Sequence, residues 1–184
     1  FTSLLEDYLE RFPDVLLDVV NSQESLDLRR ENIDMQLLPK GIKVTNEDYV
    51  QQTLLRFPSC LAASAEYLNS HARITELSHL YDHPIMVSRY NMTALPDDLK
   101  IRLCSDDLGL IQHMATSGKG VALLPTTLLQ DAFQSGELVP ILPQERFTDI
   151  KLTLIYPSRE FLPEKTRALV QLLRETFTES NMKP

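Results

Sequence analysis

The sequence has few of the residues that mark several common protein classes. It contains no tryptophan, only five glycines and only two cysteines, Cys60 and Cys104. Two cysteines are too few for a disulfide scaffold, and both are expected to be inert, buried thiols in a reducing compartment. With so few glycines, the Gly-x-Ser-x-Gly nucleophile elbow is missing. No apolar run approaches the roughly 18 residues of a membrane helix, and no leader is visible before the first predicted helix.

Basic residues are scarce relative to acidic ones. The 184 residues include 18 Lys and Arg against 26 Asp and Glu, which gives a net charge of −8. Surfaces that bind nucleic acids are usually basic, so this balance predicts that the chain does not itself bind DNA. The 43% of hydrophobic residues are enough to bury a core in one domain or in two small lobes. The first residue is Phe1 rather than methionine, which predicts a piece of a longer protein.

Hydrophobic periodicity predicts alternating helices and strands. A first helix is expected from Leu4 to Phe12, stopped by Pro13, and the β-branched run at 15–20 predicts a strand. Further elements are expected in the order strand 35–38, strand 54–63 with a bend at Pro58, two short helices within 65–80, strands 85–87 and 101–104, a helix from 108, strand 121–124, a helix to about 133, strands 138–142 and 152–156, and a helix after Pro163. This alternation favours an α/β fold with mainly parallel sheets.

Signs of catalytic or metal chemistry are weak. His79 and His83 are four residues apart and could share a helix face as metal ligands, but two surface histidines are the favoured alternative. The Gly118-Lys119-Gly120 segment lacks the spacing of a phosphate loop and predicts a helix end followed by a strand. Asp106 and Asp107 could form a catalytic pair, but acidic residues are ordinary at a helix N-terminus. No enzymatic activity, metal or cofactor is therefore predicted.

Six segments occur in a telling order over nearly the whole chain: 12–15, 28–34, 62–68, 118–125, 135–139, and 156–159 with Pro163 and Arg167. Together they resemble the effector-binding domain of LysR-type transcriptional regulators. Residues 62–68 resemble the family's Ala-Ser-Pro-x-Tyr-Leu signature, although Ala65 replaces the proline. Residues 118–125 match its Gly-x-Gly-Ile-Ala-Leu-Leu-Pro stretch through Gly-Lys-Gly-Val-Ala-Leu-Leu-Pro.

The resemblance implies a two-lobed α/β fold like that of periplasmic binding proteins, with two crossing strands between the lobes. Lobe I is expected to comprise residues 1–62 and 152–184, and lobe II residues 63–151, with crossings near 61–64 and 152–156. In the family, a winged helix-turn-helix domain, a linker helix and one further strand precede this point. They are absent from these 184 residues, so lobe I is expected to lack its first strand.

The same resemblance implies a function. The chain is expected to be the sensory and oligomerisation domain of a cytoplasmic bacterial transcriptional regulator. A small-molecule effector would bind in the cleft between the lobes and alter DNA binding by the helix-turn-helix domain. Each residue expected to contact the effector also has an ordinary alternative role as a turn former, a core residue or a helix cap. These residues are Asn21, Ser22, Leu38, Ser64, Ser105 and Asp106.

The sequence also leads to expectations about binding partners and about the charge of the effector. The fragment is expected to form a homodimer through an exposed first helix carrying Leu4, Leu5, Tyr8 and Leu9, and the full-length protein a homotetramer. DNA would be bound only through the missing domain, and no membrane is involved. Many members of the resembled family hold carboxylate effectors, often with an arginine near the end of the third strand. The stretch at 37–39 lacks that arginine, and Asp106 and Asp107 occupy the helix start that would attract an anion. We therefore expect a neutral or cationic effector, or a cleft that responds to something other than an organic acid. The alternative function is that of a solute-binding protein of a transport system with the same fold.

Overall fold

Two β-sheets organise the chain into two compact units. The computed structural model describes residues 2–22, 24–157 and 162–180. Unit 1 comprises Phe1–Arg56 and Lys151–Pro184, and unit 2 comprises Phe57–Ile150. The sequence predicts boundaries at 62/63 and 151/152, whereas the structure divides the chain at 56/57 and 150/151. Unit 2 is thus one continuous segment, and unit 1 is built from two.

Helices and strands alternate along most of the chain. In chain order they are α1 (Thr2–Arg11), β1 (Gln36–Pro39), β2 (Val50–Phe57), β3 (Ser59–Ser64), α2 (Ala65–Ser70), a 3₁₀ helix (Leu77–Asp82), β4 (Ile85–Ser88), a short 3₁₀ turn (Met92–Ala94), β5 (Ile101–Ser105), α3 (Leu108–Thr116), β6 (Val121–Pro125), α4 (Thr126–Ser135), β7 (Leu138–Ile141), β8 (Ile150–Tyr156) and α5 (Glu164–Ser180). The predicted α/β class is confirmed. Ser158 and Arg159 of the last family-like segment lie outside the described residues.

In unit 1, a three-stranded sheet has the order β1-β8-β2, and β1 pairs antiparallel with β8. Helix α1 packs against α5, and the Tyr8 hydroxyl donates a hydrogen bond of 2.9 Å to the Lys165 carbonyl oxygen. Leu4 and Tyr8 are therefore buried, and Leu9 alone among the four named apolar residues is exposed. The expectation of an exposed apolar first helix is wrong, because that face is covered by α5 of the same chain.

The β-branched run at 15–20 is not a strand. Its backbone is irregular throughout and pairs with no strand among the described residues. Leu16 is 88% exposed, and Val19 and Val20 are 68% and 69% exposed. The prediction of a strand here is wrong, because β propensity forms a strand only where a neighbour accepts and donates the ladder hydrogen bonds.

The core of unit 1 on one side of the sheet is small. Leu28 and Tyr49 pack there with Leu38 of β1 and Ile155 of β8. The Tyr49 hydroxyl donates a hydrogen bond of 2.6 Å to Asp27 Oδ1 and accepts one from the Arg29 amide, so the irregular chain before β1 is fixed to the core. A turn at 28–32 lies within the family-like segment 28–34.

In unit 2, the sheet has five strands in the order β5-β4-β6-β3-β7. Strand β4 pairs parallel with both β5 and β6, whereas β3 pairs antiparallel with β6 and with β7. The sheet is therefore mixed, not mainly parallel as predicted. Strand β6 is buried along its whole length, as expected for a strand covered on both faces. The two faces carry separate apolar clusters, one beneath α2 and the first 3₁₀ helix and the other beneath α3 and α4.

The Gly118-Lys119-Gly120 segment has the structural role that the sequence predicts. Gly118 follows α3 with a φ of +70°, and the Lys119 amide donates a hydrogen bond to the Met114 carbonyl oxygen, which closes the helix. Gly120 has a φ of +147°, and a Cβ built there would lie 2.3 Å from the Pro84 carbonyl oxygen. Only glycine fits at 120, where two backbones meet at the start of β4 and β6.

Candidate functional site

The carboxyl ends of β4, β5 and β6 meet at one edge of the unit 2 sheet. β4 ends at Ser88, β5 at Ser105 and β6 at Pro125, and helices α3 and α4 both begin next to this edge. From β4 the chain continues to β5 on one side and then returns, through α3, to β6 on the other side. Ligands of open α/β sheets bind outside the carboxyl ends of the strands at such a reversal of strand order. We call this region the carboxyl edge.

An ion pair lies on the carboxyl edge. The Arg89 Nε atom lies 3.2 Å from Asp106 Oδ1, and the side chains are 65% and 9% exposed, respectively. Arg89 thus reaches from solvent to a nearly buried carboxylate. Burial raises the pKa of the nearby Tyr90 hydroxyl, and the Asp106 charge raises that pKa further, while Arg89 opposes the effect. The phenol is therefore kept neutral beside this charge pair.

Two of the predicted polar residues fix the first turn of α3. Asp107 is the N-cap, and its Oδ1 accepts a hydrogen bond of 3.0 Å from the Leu110 amide. Ser105 Oγ accepts a hydrogen bond of 3.0 Å from the Asp107 amide. These contacts are the capping role that the sequence offers as the alternative to effector binding. Of the acidic pair, only Asp106 has its carboxylate directed to a side chain instead of a helix end.

Beside the ion pair, the carboxyl edge contains buried polar groups. Asn91 Nδ2 donates a hydrogen bond of 2.8 Å to Ser59 Oγ, and the two residues are 2% and 7% exposed. Ser88 is fully buried and accepts a hydrogen bond from the Tyr90 amide. The partly exposed Thr126, at the start of α4, donates from both its amide and its hydroxyl to the Pro58 carbonyl oxygen. Each buried group is satisfied, so the floor of the edge is rigid.

Ser64 lies at the opposite edge of the same sheet. It pairs with Leu138 at the start of β7, whereas Ser59 at the other end of β3 pairs with Pro125. Its Oγ accepts a hydrogen bond of 3.2 Å from the Tyr67 amide and caps α2. Ser64 therefore cannot share a site with Ser105 and Asp106 on unit 2, because β3 runs antiparallel to β6.

Three predicted site residues belong to unit 1. Asn21 is exposed, and Ser22 makes hydrogen bonds with the backbone of Glu24 within a local turn. Leu38 is 1% exposed, lies opposite Thr153 in the sheet and is part of the core. Its remaining surface contributes to a shallow pocket of about 180 Å³ that Lys40 also lines. The turn and core alternatives thus fit Ser22 and Leu38, and contact of these three residues with an effector stays a prediction.

The prediction of two surface histidines is wrong for His83, and that of two buried thiols is wrong for Cys104. His79 accepts a hydrogen bond from the Thr75 amide and lies 3.6 Å from Glu76, whereas His83 is buried and hydrogen-bonded to Tyr67. Cys104 is exposed, which contradicts the prediction of two buried thiols. Cys60 is half-buried, and burial raises the pKa of its thiol, which disfavours the reactive thiolate.

Residues 2–22, 24–157 and 162–180 contain neither a metal-binding cluster nor a membrane-spanning helix. No group of three or more histidine, cysteine, aspartate or glutamate side chains there is placed to hold a metal ion. Over the same residues, every helix is too short or too polar to cross a membrane.

Sequence reasoning missed several residues of the carboxyl edge. The site residues expected from the sequence do not include Arg89, Ser59, Asn91 or Thr126. Their positions at or within a few residues of strand ends are the signal that could find them. That signal requires the direction of each strand, which periodicity does not provide.

Comparison with known families gives one extensive match. The family model described as LysR substrate binding domain matches residues 1–178. Among curated proteins, the HTH-type transcriptional regulator PtxR of Pseudomonas aeruginosa is 25% identical over 186 residues, which cover 95% of this chain and 59% of PtxR. DmlR of Escherichia coli, another HTH-type transcriptional regulator, is 28% identical over 178 residues, which cover 90% of this chain and 54% of DmlR. The chain thus spans little more than half the length of these relatives.

Solved structures have the same fold. The regulatory domain of CrgA, a LysR-type transcriptional regulator from Neisseria meningitidis, matches with a TM-score of 0.80 and 20% identity over 96% of this chain and 91% of that one. The full-length virulence activator AphB of Vibrio cholerae also matches with a TM-score of 0.80, at 18% identity, over 96% of this chain and 63% of AphB. At such identity these similarities show the fold alone.

Proposed function

Because the chain belongs to the LysR substrate-binding domain family, we propose that it is the effector-sensing part of a LysR-type transcriptional regulator. The family match over residues 1–178 supports this proposal, and the curated relatives are transcriptional regulators, which are not enzymes. A solute-binding role in transport is not favoured by these relatives. The proposed regulator acts on DNA in the cytoplasm, through a part of the protein other than this chain, and has no catalytic activity.

The mechanism we propose is a shift of population. A small molecule that binds one conformation of the domain more tightly than another stabilises that conformation by the difference in binding free energy. The altered conformation would then change how two or four subunits, and so their DNA-binding parts, are arranged. Dimer formation by this chain is part of the proposal, although the burial of Leu4 and Tyr8 removes its predicted α1 contact. Sedimentation showing only a 21.0 kDa species at high concentration would contradict it.

We place the effector at the carboxyl edge of unit 2. The observation that supports this placement is the pair formed by the solvent-exposed Arg89 and the nearly buried Asp106. The pair is the only salt bridge between a lysine or arginine and a carboxylate that is found among the described residues. The buried Ser59–Asn91 hydrogen bond supplies a rigid floor beside it. Asn21, Ser22, Leu38 and Ser64 are then assigned to structural roles, not to effector contacts.

The charge at this edge favours a neutral or cationic effector. A carboxylate effector would compete with Asp106 for Arg89 and would leave the Asp106 charge unpaired, which is costly for a nearly buried group. A cationic group can instead replace Arg89 beside Asp106, and the displaced guanidinium returns to water at little cost because it is already largely exposed. Arg89 therefore occupies the position that the effector's positive group would take.

Thermal-shift and calorimetric screening tests this placement. The probes are small molecules that share a carbon skeleton and differ only in carrying an amine, an amide or a carboxylate. We expect stabilisation by amine or amide members, loss of amine binding in Asp106→Asn, and tighter amine binding in Arg89→Gln. Arg102→Gln is the matched control, since Arg102 is an exposed arginine of the neighbouring strand β5. Micromolar binding of a carboxylate that is abolished by Ser105→Ala or Arg89→Gln would refute the charge argument.

A DNA-binding assay gives a second test of the proposed function. This acidic chain alone is expected not to shift duplex DNA in a gel at low salt. A salt-sensitive shift produced by the isolated chain would mean that the domain itself contacts DNA, contrary to the proposal.

A further inference from the structure

Three aromatic rings lie together at the edge of the unit 2 sheet opposite the carboxyl edge. The Tyr67 ring of α2 stacks on His71 with 3.9 Å between ring centroids and meets His83 edge-on at 5.7 Å. The Tyr67 hydroxyl lies 2.8 Å from His83 Nδ1 in a buried hydrogen bond. His71 Nδ1 lies 2.9 Å from the Tyr67 carbonyl oxygen, which fixes the stack. We call Tyr67, His71 and His83 the ring cluster.

His83 is the buried member of the ring cluster. It is 1% exposed, and its Nε2 atom is buried without a hydrogen-bond partner. A neutral imidazole has one donor and one acceptor nitrogen, so one of its two groups is satisfied by Tyr67 and the other is left without a partner. A protonated imidazole has two donors. The second N–H would then be a charged donor in a buried site, where the backbone contact at Ala72 offsets only part of the cost of burial.

The surroundings of His83 add to this cost. Burial lowers the pKa of His83, and the proximity of His71, and to a smaller extent His79, lowers that pKa further. Asp82, on the 3₁₀ helix Leu77–Asp82, and a backbone contact at Ala72 act in the opposite direction without reversing the shift. Burial also raises the pKa of Tyr67, so the phenol remains the neutral hydroxyl partner.

We propose that the ring cluster is a proton-sensitive latch: it holds α2 against the segment before β4 while His83 is neutral, and releases it when His83 is protonated. The position of the cluster supports a local release. Tyr67 belongs to the short helix α2, and His83 ends the 3₁₀ segment, so the elements that it joins are short and lie outside the sheet. His83 takes up its proton from solvent as the segment opens, and no other reactant is needed.

The sign of the effect follows from the direction of the pKa shift. The opened segment binds a proton at the ordinary histidine pKa near 6.5, whereas the closed one binds it only at lower pH. The closed form is therefore fully favoured above about pH 6.5 and loses its advantage as pH falls from there toward the lower pKa of the closed state. One proton changes the ratio of open to closed forms by at most about tenfold per pH unit.

Hydrogen exchange measured by mass spectrometry on the whole chain tests the latch. Between pH 7.5 and 5.5, corrected for the intrinsic exchange rate, peptides covering residues 65–83 should lose protection progressively, while peptides of β6 should not. His83→Asn should abolish this pH dependence, because the amide can accept the Tyr67 hydroxyl but does not titrate. His113→Gln is the matched control, since His113 lies exposed on α3, and it should behave like the wild type.

Nuclear magnetic resonance of the histidine rings provides a second measurement on the unaltered protein. His83 should titrate below the ordinary value, and His71→Gln should move its titration upward by removing a like charge. Should His83→Asn not fold, this measurement decides alone. The proposal is overturned if His83 titrates at the ordinary value, if protection at 65–83 does not change with pH, or if His83→Asn keeps the wild-type pH dependence. Because the cluster and the carboxyl edge lie at opposite edges of the sheet, these outcomes are independent of effector binding.

Discussion

Two apolar runs of this chain have similar sequences and opposite surroundings. Residues 15–20 (Val-Leu-Leu-Asp-Val-Val) belong to unit 1 and expose Leu16, Val19 and Val20 to solvent. Strand β6 (Val-Ala-Leu-Leu-Pro) belongs to unit 2, lies between β4 and β3, and is buried throughout. The comparison teaches that composition alone does not make a strand. A strand also requires hydrogen-bond partners, and β6 has them on both sides.

The two units also differ in how their sheets are covered. In unit 2, apolar side chains on both faces of a five-stranded sheet are covered by helices. In unit 1, the sheet has three strands, and one of its faces is covered by irregular chain held through the Asp27–Tyr49 hydrogen bond. We therefore expect substitutions of the same type to have larger effects in unit 2 than in unit 1.

The largest difference is expected for leucine-to-alanine changes in the two runs. Leu123→Ala removes a fully buried side chain that lies opposite Leu61 and Val87 in the sheet, which should lower the free energy of unfolding by about 2–5 kcal/mol. Leu16→Ala removes a side chain that is 88% exposed and should change it by less than about 0.5 kcal/mol. Urea titration followed by circular dichroism measures both. Equal losses for the two variants would break the comparison.

A smaller difference is expected for glycine-to-alanine changes. Gly41 in unit 1 has a φ of +109° and open space around its Cβ position, so Gly41→Ala should cost only backbone strain of about 1 kcal/mol. Gly120→Ala adds a collision with the Pro84 carbonyl oxygen, which should cost about 1–3 kcal/mol more. Thermal unfolding of both variants gives the measurement. If Gly41→Ala proves the more harmful change, the close backbone approach at 120 is not the constraint that we describe.

The smallest expected effect is an acid titration in unit 1. The Tyr49 hydroxyl, which donates to Asp27, lowers the pKa of that carboxyl, and the Arg30 amide lowers it further. The resulting stabilisation is present above the ordinary value of about 3.8 and is lost as pH falls through the lower folded pKa. The backbone amides of unit 1 should therefore keep their protection against hydrogen exchange between pH 7 and 4.5, a range in which the ring cluster of unit 2 loosens. Tyr49→Phe should weaken the acid dependence below pH 4 in hydrogen exchange, and a wild-type loss near pH 6 in residues 24–49 would contradict this assignment.

Much of the fold could be predicted from sequence because it depends on local chemistry. The end of α1 before Pro13, the break between β2 and β3 at Pro58, and the glycine after α3 are all confirmed. Each is a position where one residue type restricts the backbone whatever the rest of the chain does. The strand at 15–20 failed for the opposite reason, since a strand depends on residues that are distant in sequence.

The candidate site was less predictable than the elements that carry it. Ser64 and Ser105 look equivalent as serines beside helix starts, but the antiparallel course of β3 places them at opposite edges of the sheet. The exposed face of α1 was mispredicted in the same way, because the periodicity that identifies an apolar stripe does not say what covers it. Asp107 caps α3, whereas its neighbour Asp106 pairs with Arg89, a partner seventeen positions away in sequence.

The order β1-β8-β2 has a consequence for how the protein is made. Strand β8 is the central strand of the unit 1 sheet, although it begins at Ile150, the last residue of unit 2, and is otherwise translated after that unit. A ribosome adding about 5–20 residues per second will therefore release a complete unit 2 before the first two strands of unit 1 can be joined. During synthesis, β1 and β2 must wait for residues 150–156 to emerge. Unit 2 is thus expected to fold first on the ribosome, and the N-terminal part of the chain to fold last.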